Sequence, residues 1–204
     1  MTVQCTECGL SYVETSEDDR RSHRLYHAES VDGLKRLPSP SDVVAWRSDS
    51  KRVLVVTRLS NRTQRRRAQG LSLVAQRDIP FSGIAHHADE ALDERDLHIF
   101  VGAEPNRFVA YLAFEKRKDI WHCTWPQWDA HQADEIAGHA PMWSVGAVWV
   151  CHRKRRQGWV RLLLASATNY LGVPPDQYGW FTPFSESGEA AARGLCPQGF
   201  FIAK

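Results

Sequence analysis

No apolar run in this chain approaches the ~20 residues that a membrane span requires, so no membrane-spanning helix is expected. The N-terminal stretch MTVQCTECG lacks the apolar core of a signal peptide, and secretion is not expected either. Five cysteines, two of them in a CxxC, do not resemble a secreted disulfide framework. A surplus of either charge is missing too. Lys and Arg number 26 against 24 Asp and Glu, and a net +2 sets up no global field that would draw the chain to nucleic acid or a membrane. There is no internal repeat and no low-complexity tail. An intracellular protein is expected. Its 204 residues allow a domain of about 150 residues with a small module beside it.

The first module is legible in its ligands. Cys5-x2-Cys8 is followed, after fourteen residues, by His23-x3-His27. Two thiolates and two imidazoles at this spacing complete a tetrahedral zinc shell, a closed structural site because no protein ligand is missing. Ser16 is placed to cap a helix, with Glu17 and Asp18 in its first turn and Asp19 at the capping-box position. That helix brings His23 and His27 onto one face. Leu10 and Tyr12 would supply a small core.

Met142 to Tyr170 organises the rest. Trp143 to Val150 is an apolar run of strand length, and Val160 to Ala167 reads as a buried helix. Between them lie Arg153-Lys154-Arg155-Arg156 and Gly158. A strand, a basic glycine turn and a helix N-terminus together make an anion site, since the first helical N–H groups lack partners and the dipole favours negative charge. The same run also fits a solvated basic turn.

Elsewhere the pattern predicts strands over Val43–Trp46 and Val53–Leu59, and a helix capped by Asn61 that runs to about Asp78 and ends before Pro80. A strand pair is expected over Leu97–Val101 and Phe108–Phe114, then a strand over Tyr178–Phe181. A short helix over Glu189–Arg193 and a last strand over Gly199–Ala203 follow. Arg62, Arg65, Arg66 and Arg67 read as a solvated helix face more readily than as a nucleic-acid patch, because no aromatics interleave with them. His86, His87, Asp89, Glu90, Asp93, Glu94 and Asp96 lack the spacing of a second metal site. Trp121, Trp125 and Trp128 suit a structural role, with a substrate-facing aromatic wall as the alternative.

Two resemblances arise from these residues. Arg155-Arg156-Gln157-Gly158-Trp159-Val160 resembles the Arg/Gln-x-x-Gly-x-Gly/Ala pyrophosphate loop of GNAT acetyltransferases, with Val160 in place of a small residue. Cys5-x2-Cys8-Gly9-Leu10-x-Tyr12, Glu17-Asp18, His23, Tyr26-His27 and Gly33-Leu34-Lys35 resemble the finger of the sister-chromatid cohesion acetyltransferases. In that family the finger precedes a GNAT domain. Val148-Trp149-Val150 matches its Ile-Trp-Val, and Ser187-Gly188 and Cys196-Pro197-Gln198-Gly199 match its C-terminal end.

The resemblance implies an α+β protein, with a CCHH zinc finger over 1–35 and a GNAT-type mixed sheet flanked by helices over 41–204. It implies an acetyl-CoA-dependent N-acetyltransferase acting on a protein lysine, nuclear in a eukaryote and cytoplasmic otherwise. Nucleic acid is not required. Acetyl-CoA contacts are expected from Val148, Trp149, Val150, Arg155, Arg156, Gln157, Gly158, Trp159, Val160 and Arg161, and from Ser185, Glu186 and Ser187. The family's extension that binds the replication clamp is expected to be absent.

The two acids that the family uses in catalysis are not matched, since Ala165 and Pro183 stand at their positions. Glu186 is then the nearest candidate base, with Tyr170 and Tyr178 as candidate acids. The alternative is a catalytically weak module that keeps the fold and the cofactor. Cys196 reads as a buried hydrophobe and not as a nucleophile.

Overall fold

A computed structural model describes residues 1–79, 96–132, 134, 135 and 141–203. Pro80, His86, His87 and the acidic residues 89–94 therefore lie outside the described residues. The finger opens with the hairpin β1 (Thr2–Gln4) and β2 (Ser11–Val13), which turns at Gly9. Helix α1 (Glu17–Asp32) follows, with Ser16 Oγ accepting the Asp19 N–H. The expected reciprocal capping box is incomplete. The Asp19 carboxylate accepts the Val13 N–H at 2.9 Å instead and ties the helix start to β2.

The main sheet has ten strands among the described residues. Chain order supplies β3 (Leu34–Lys35), β4 (Val43–Arg47), β5 (Arg52–Val56), β6 (His98–Glu104), β7 (Arg107–Arg117), β8 (Ile120–Cys123), β9 (Asp134–Glu135), β10 (Met142–Val150), β11 (Gly179–Phe181) and β12 (Phe200–Ala203). Their spatial order is β4-β5-β6-β7-β10-β11-β12-β8-β9, and β3 also pairs with β7. The two parallel pairs, β10–β11 and β11–β12, each require a crossover. Helix α4 (Trp159–Leu171) provides the first and α5 (Glu186–Leu195) the second. Helix α2 (Arg62–Asp78) precedes β6, and the short α3 (Trp125–Asp129) follows β8.

Strand β7 is buried along nearly its whole length because it is central to the sheet and covered by helices. Val53, Leu71, Ile99, Phe100, Leu112, Phe114, Leu163 and Phe200 form the interior around it. Asn61 and Gln64 complete a full capping box at the start of α2. Strand β5 stops at Val56, short of the expected Leu59, because Ser60 Oγ accepts the Thr57 N–H and closes a turn. Arg62 and Arg66 are exposed as expected. Arg67 is not part of that solvated face. It pairs with Asp42 and donates to the Leu37 carbonyl at 2.7 Å. Among the described residues no helix is long and apolar enough to cross a membrane.

Candidate functional site

Strand β10 lies between two partners for only part of its length. Along β7 it is paired from Met142 to Val150, but β11 meets it only at Ser144 and Val145. A register shift falls at Gly146, and beyond it β10 and β11 separate. The Cys151 N–H donates to the Val109 carbonyl at 2.9 Å, towards β7. Peptide groups alternate between the two edges of an antiparallel strand, so Val148 and Val150 turn theirs to the open edge. The Val150 carbonyl there accepts Arg155 Nε at 3.1 Å.

The chain leaves β10 into a 3-10 turn, His152–Lys154, and reaches α4 through two positive-φ residues, Arg156 (62°) and Gly158 (79°). Gly158 is the N-cap of α4 and has no side chain to cap it. The first intrahelical bond is Leu162 N–H to the Gly158 carbonyl. The N–H groups of Trp159, Val160 and Arg161 therefore have no intrahelical acceptor, and they carry the positive end of the helix dipole. A Cβ added at Gly158 would meet no protein atom within 4 Å, so space is open above this backbone.

The side chains around the loop divide into two groups. Arg156, Gln157 and Arg161 are exposed. Lys154 is instead paired with Glu104 at 2.8 Å, and Arg155 with Asp78 at 3.0 Å. The Trp159 ring is buried against Gly102 with Lys51 above it, so only its backbone serves the loop. Trp149 likewise faces inward and donates Nε1 to Asp78 Oδ2 at 2.7 Å.

In the finger, the ligand atoms of Cys5, Cys8, His23 and His27 all lie within 4.8 Å of one another. His23 Nε2 is buried without a hydrogen-bond partner, and the His23 ring stacks on Tyr12 at 4.1 Å. His27 Nδ1 is 3.4 Å from Cys5 Sγ, while its Nε2 lies 3.5 Å from the Glu7 carboxylate. The Cys8 backbone N–H is the main cause that pulls the Cys5 thiol down to about 6, whereas burial raises Cys8. An orphaned buried imidazole nitrogen beside two thiols is the donor set of structural zinc, and the site fits it.

Residues 1–29 match the family model described as the zinc-finger of acetyl-transferase ESCO. The finger is of the ESCO acetyltransferase type. The chain shares its fold with the xEco2 acetyltransferase domain bound to a CoA conjugate. The TM-score is 0.63 at 10% identity, over 80% of this chain and 98% of that one. A second structure of the xEco2 domain gives a TM-score of 0.60 at 11% identity, over 82% and 98%. The mixed sheet with flanking helices is like that of GNAT acetyltransferases. No curated protein matches the chain in sequence.

Behind the ESCO-type finger, the catalytic candidates scatter. Tyr178 is fully buried, with its hydroxyl donating to the Val173 carbonyl at 2.9 Å and sharing a bond with Thr168 at 2.7 Å. Burial raises its pKa, and both bonds hold it in the core. Tyr170 lies on α4, 44% exposed, against Phe100 and His98. Glu186 is the first residue of α5 and is exposed, with Ser185 as the cap and exposed Ser187 beside it. Neighbouring Phe184 does not cover it and packs with Trp128, Trp180 and Phe200. Ala165 and Pro183 are both exposed. Trp125 stacks on Phe200 and donates to the Cys196 carbonyl, which makes these aromatics core. Burial pushes Cys151 up to about 11 and also raises Cys196, and neither is a nucleophile.

Sequence reasoning missed Asp78 and His152. Asp78 Oδ2 accepts from Trp149, His152 and Arg155, which are 71, 74 and 77 residues away. No local pattern marks such a carboxylate.

Proposed function

We propose that the chain is an acetyl-CoA-dependent N-acetyltransferase acting on a protein lysine, with a structural zinc finger at its N-terminus. One observation carries this reading: β10 has an open edge that runs directly into an uncapped, basic, positive-φ helix start. The loop amides from Gly158 to Arg161 would hold the pyrophosphate, helped by Arg156 and Arg161. Val148 and Val150 would present peptide groups to the pantetheine arm. Acetyl transfer builds negative charge on the thioester oxygen, and the outward N–H of β10 at Val148 would receive it. The acceptor amine must be neutral, so a proton has to leave it. Glu186 is the acidic group we assign to that step, because the chain leaves β11 at Phe181, past its pairing with β10, and enters α5 at Glu186. The finger type and the CoA conjugate held by the xEco2 domain support a protein lysine as acceptor.

A second reading is an acetyl-CoA-binding module without turnover. Exposed Ala165 and Pro183, together with the locked Tyr178 hydroxyl, favour it. One set of measurements separates the two. Calorimetric titration of the wild type with acetyl-CoA should give one site per chain. Gly158→Asp, which puts a side chain and a negative charge into the anion space, should abolish it. Mass spectrometry of lysine peptides incubated with acetyl-CoA then reports transfer. Under the enzymatic reading, Glu186→Gln keeps cofactor binding and loses about 10²–10⁴-fold in rate. A rate within about threefold of wild type would remove Glu186 from the step. Binding without transfer across a broad peptide set favours the module.

A further inference from the structure

The loop at the start of α4 is not held by the sheet alone. His152, the first residue of its 3-10 turn, sits between two segments remote in sequence. Its Nδ1 lies 2.6 Å from the Glu7 carbonyl oxygen, and its Nε2 lies 3.2 Å from Asp78 Oδ2. The two ring nitrogens thus reach one oxygen on the finger and one at the end of α2, so the ring bridges the two segments. Glu7 stands between the zinc ligands Cys5 and Cys8, inside the knuckle closed by Gly9 N–H to the Cys5 carbonyl. Asp78, the last residue of α2, gathers Trp149 from β10 and Arg155 from the far end of the turn onto the same oxygen. Its side chain is only 12% exposed, where such charge-assisted bonds are strong. Arg153 adds a second tie to the finger, pairing with Asp32 at the end of α1 and lying 3.6 Å from the Glu7 carboxylate.

We propose that His152, acting with Asp78, is a positioning residue that couples the zinc knuckle to the cofactor loop. Metal in the finger fixes the Glu7 carbonyl. Glu7 fixes the His152 ring, and His152 and Asp78 together fix Arg155 and the backbone leading to Gly158. The inference rests on the acetyl-CoA reading given above. The coupling is reciprocal: whatever factor zinc adds to acetyl-CoA affinity, acetyl-CoA adds to zinc affinity. A contact that served packing alone would lower stability in a variant and leave the two sites independent.

The test uses the full chain loaded with zinc and a colorimetric zinc chelator, with and without saturating acetyl-CoA. In the wild type, acetyl-CoA is expected to raise the chelator concentration needed for half-release about tenfold, within the usual range of site-to-site coupling. In His152→Ala that shift should fall below about twofold, and acetyl-CoA should bind about tenfold more weakly by calorimetry. His152→Gln, which restores one donor, should recover part of both. Asp78→Asn keeps a neutral acceptor for Trp149 and should also lose most of the shift, so the test survives a His152→Ala protein that fails to fold. A wild type that binds acetyl-CoA with no change in zinc release overturns the proposal, as does a His152→Ala protein with the full shift. A wild type that binds no acetyl-CoA removes the cofactor reading itself, and this inference falls with it.

Discussion

His98 begins β6 with its ring edge-on to Trp143 at 4.8 Å and tilted against Tyr170 at 5.9 Å. Burial among these rings lowers its pKa below 6.5, and the Asp96 carbonyl, 3.4 Å from Nδ1, opposes that only in part. The sign of the stability effect follows from proton counts. As pH falls below about 6.5, the unfolded chain takes up a proton on this histidine that the folded chain still refuses. The contribution is therefore complete above the unfolded value and is lost on acidification. Asp96, Lys116 and Arg58 also face the ring and set the background. We expect the urea midpoint of the wild type to drop between about pH 7.5 and about pH 5.5. His98→Phe keeps a ring against Trp143 and removes the proton, and it should flatten that drop. Equal slopes in the two proteins would place the acid sensitivity elsewhere.

At the scale of elements, α1 and α4 are stabilised in different ways. Helix α4 buries Trp159, Leu163, Leu164, Ser166 and Ala167 along one face, so packing holds it. Helix α1 is longer, yet its buried residues are only Ser30 and Val31, both in its last turn. Its first half must take its order from the metal, because binding energy is folding energy in such a module. Cys8→Ser or His27→Ala should therefore free residues 1–28 while α4 and the sheet stay folded. Hydrogen exchange should show amide protection lost in that span alone, and elemental analysis should show zinc falling from about one equivalent per chain. Less than half an equivalent in the wild type would end the closed-site reading.

These two helices also mark what the sequence could disclose. The ligands, the Ser16 cap and the Gly158 turn rest on residues adjacent in the chain, and each was legible. Helix α5 runs over 186–195 where only 189–193 was expected, because Ser185 caps it on the Gly188 N–H. The expected capping box at Asp19 failed because a strand N–H competed for the same carboxylate. The Asp78 cluster was invisible because its donors converge only after the sheet and α2 have packed.

For the whole molecule, the question is whether the finger and the mixed-sheet domain are separable. The chain passes from α1 through Gly33 straight into β3, which pairs Leu34 with Phe108 and Lys35 with Arg107 on β7. There β3 continues the edge of β7 beyond Val150, the last residue of β10, which pairs with Ala110. Gly33 is held tightly: an added Cβ would lie 2.5 Å from the Phe108 carbonyl oxygen, and φ is 90°. Arg107 donates to the Gly33 carbonyl at 2.9 Å, and Arg77 pairs with Glu29 at 2.6 Å across α1 and α2. Val31 and Leu34 are 3% and 5% exposed, and Leu34 belongs to the interior that covers β7. Burying two such side chains is worth about 3–6 kcal/mol. A domain's whole stability is typically about 5–15 kcal/mol. A fragment of residues 41–204 therefore loses a large share of its margin along with the cover over Phe108. We expect it to unfold at a clearly lower denaturant midpoint than the full chain, and to expose apolar surface that binds a hydrophobic dye. Adding back residues 34–40 alone should restore less than adding back 30–40, since Val31 lies in the last turn of α1. A fragment that matches the full chain in midpoint and slope would show instead that the fold after the finger is complete without it, and that β3 merely lies on the surface of β7.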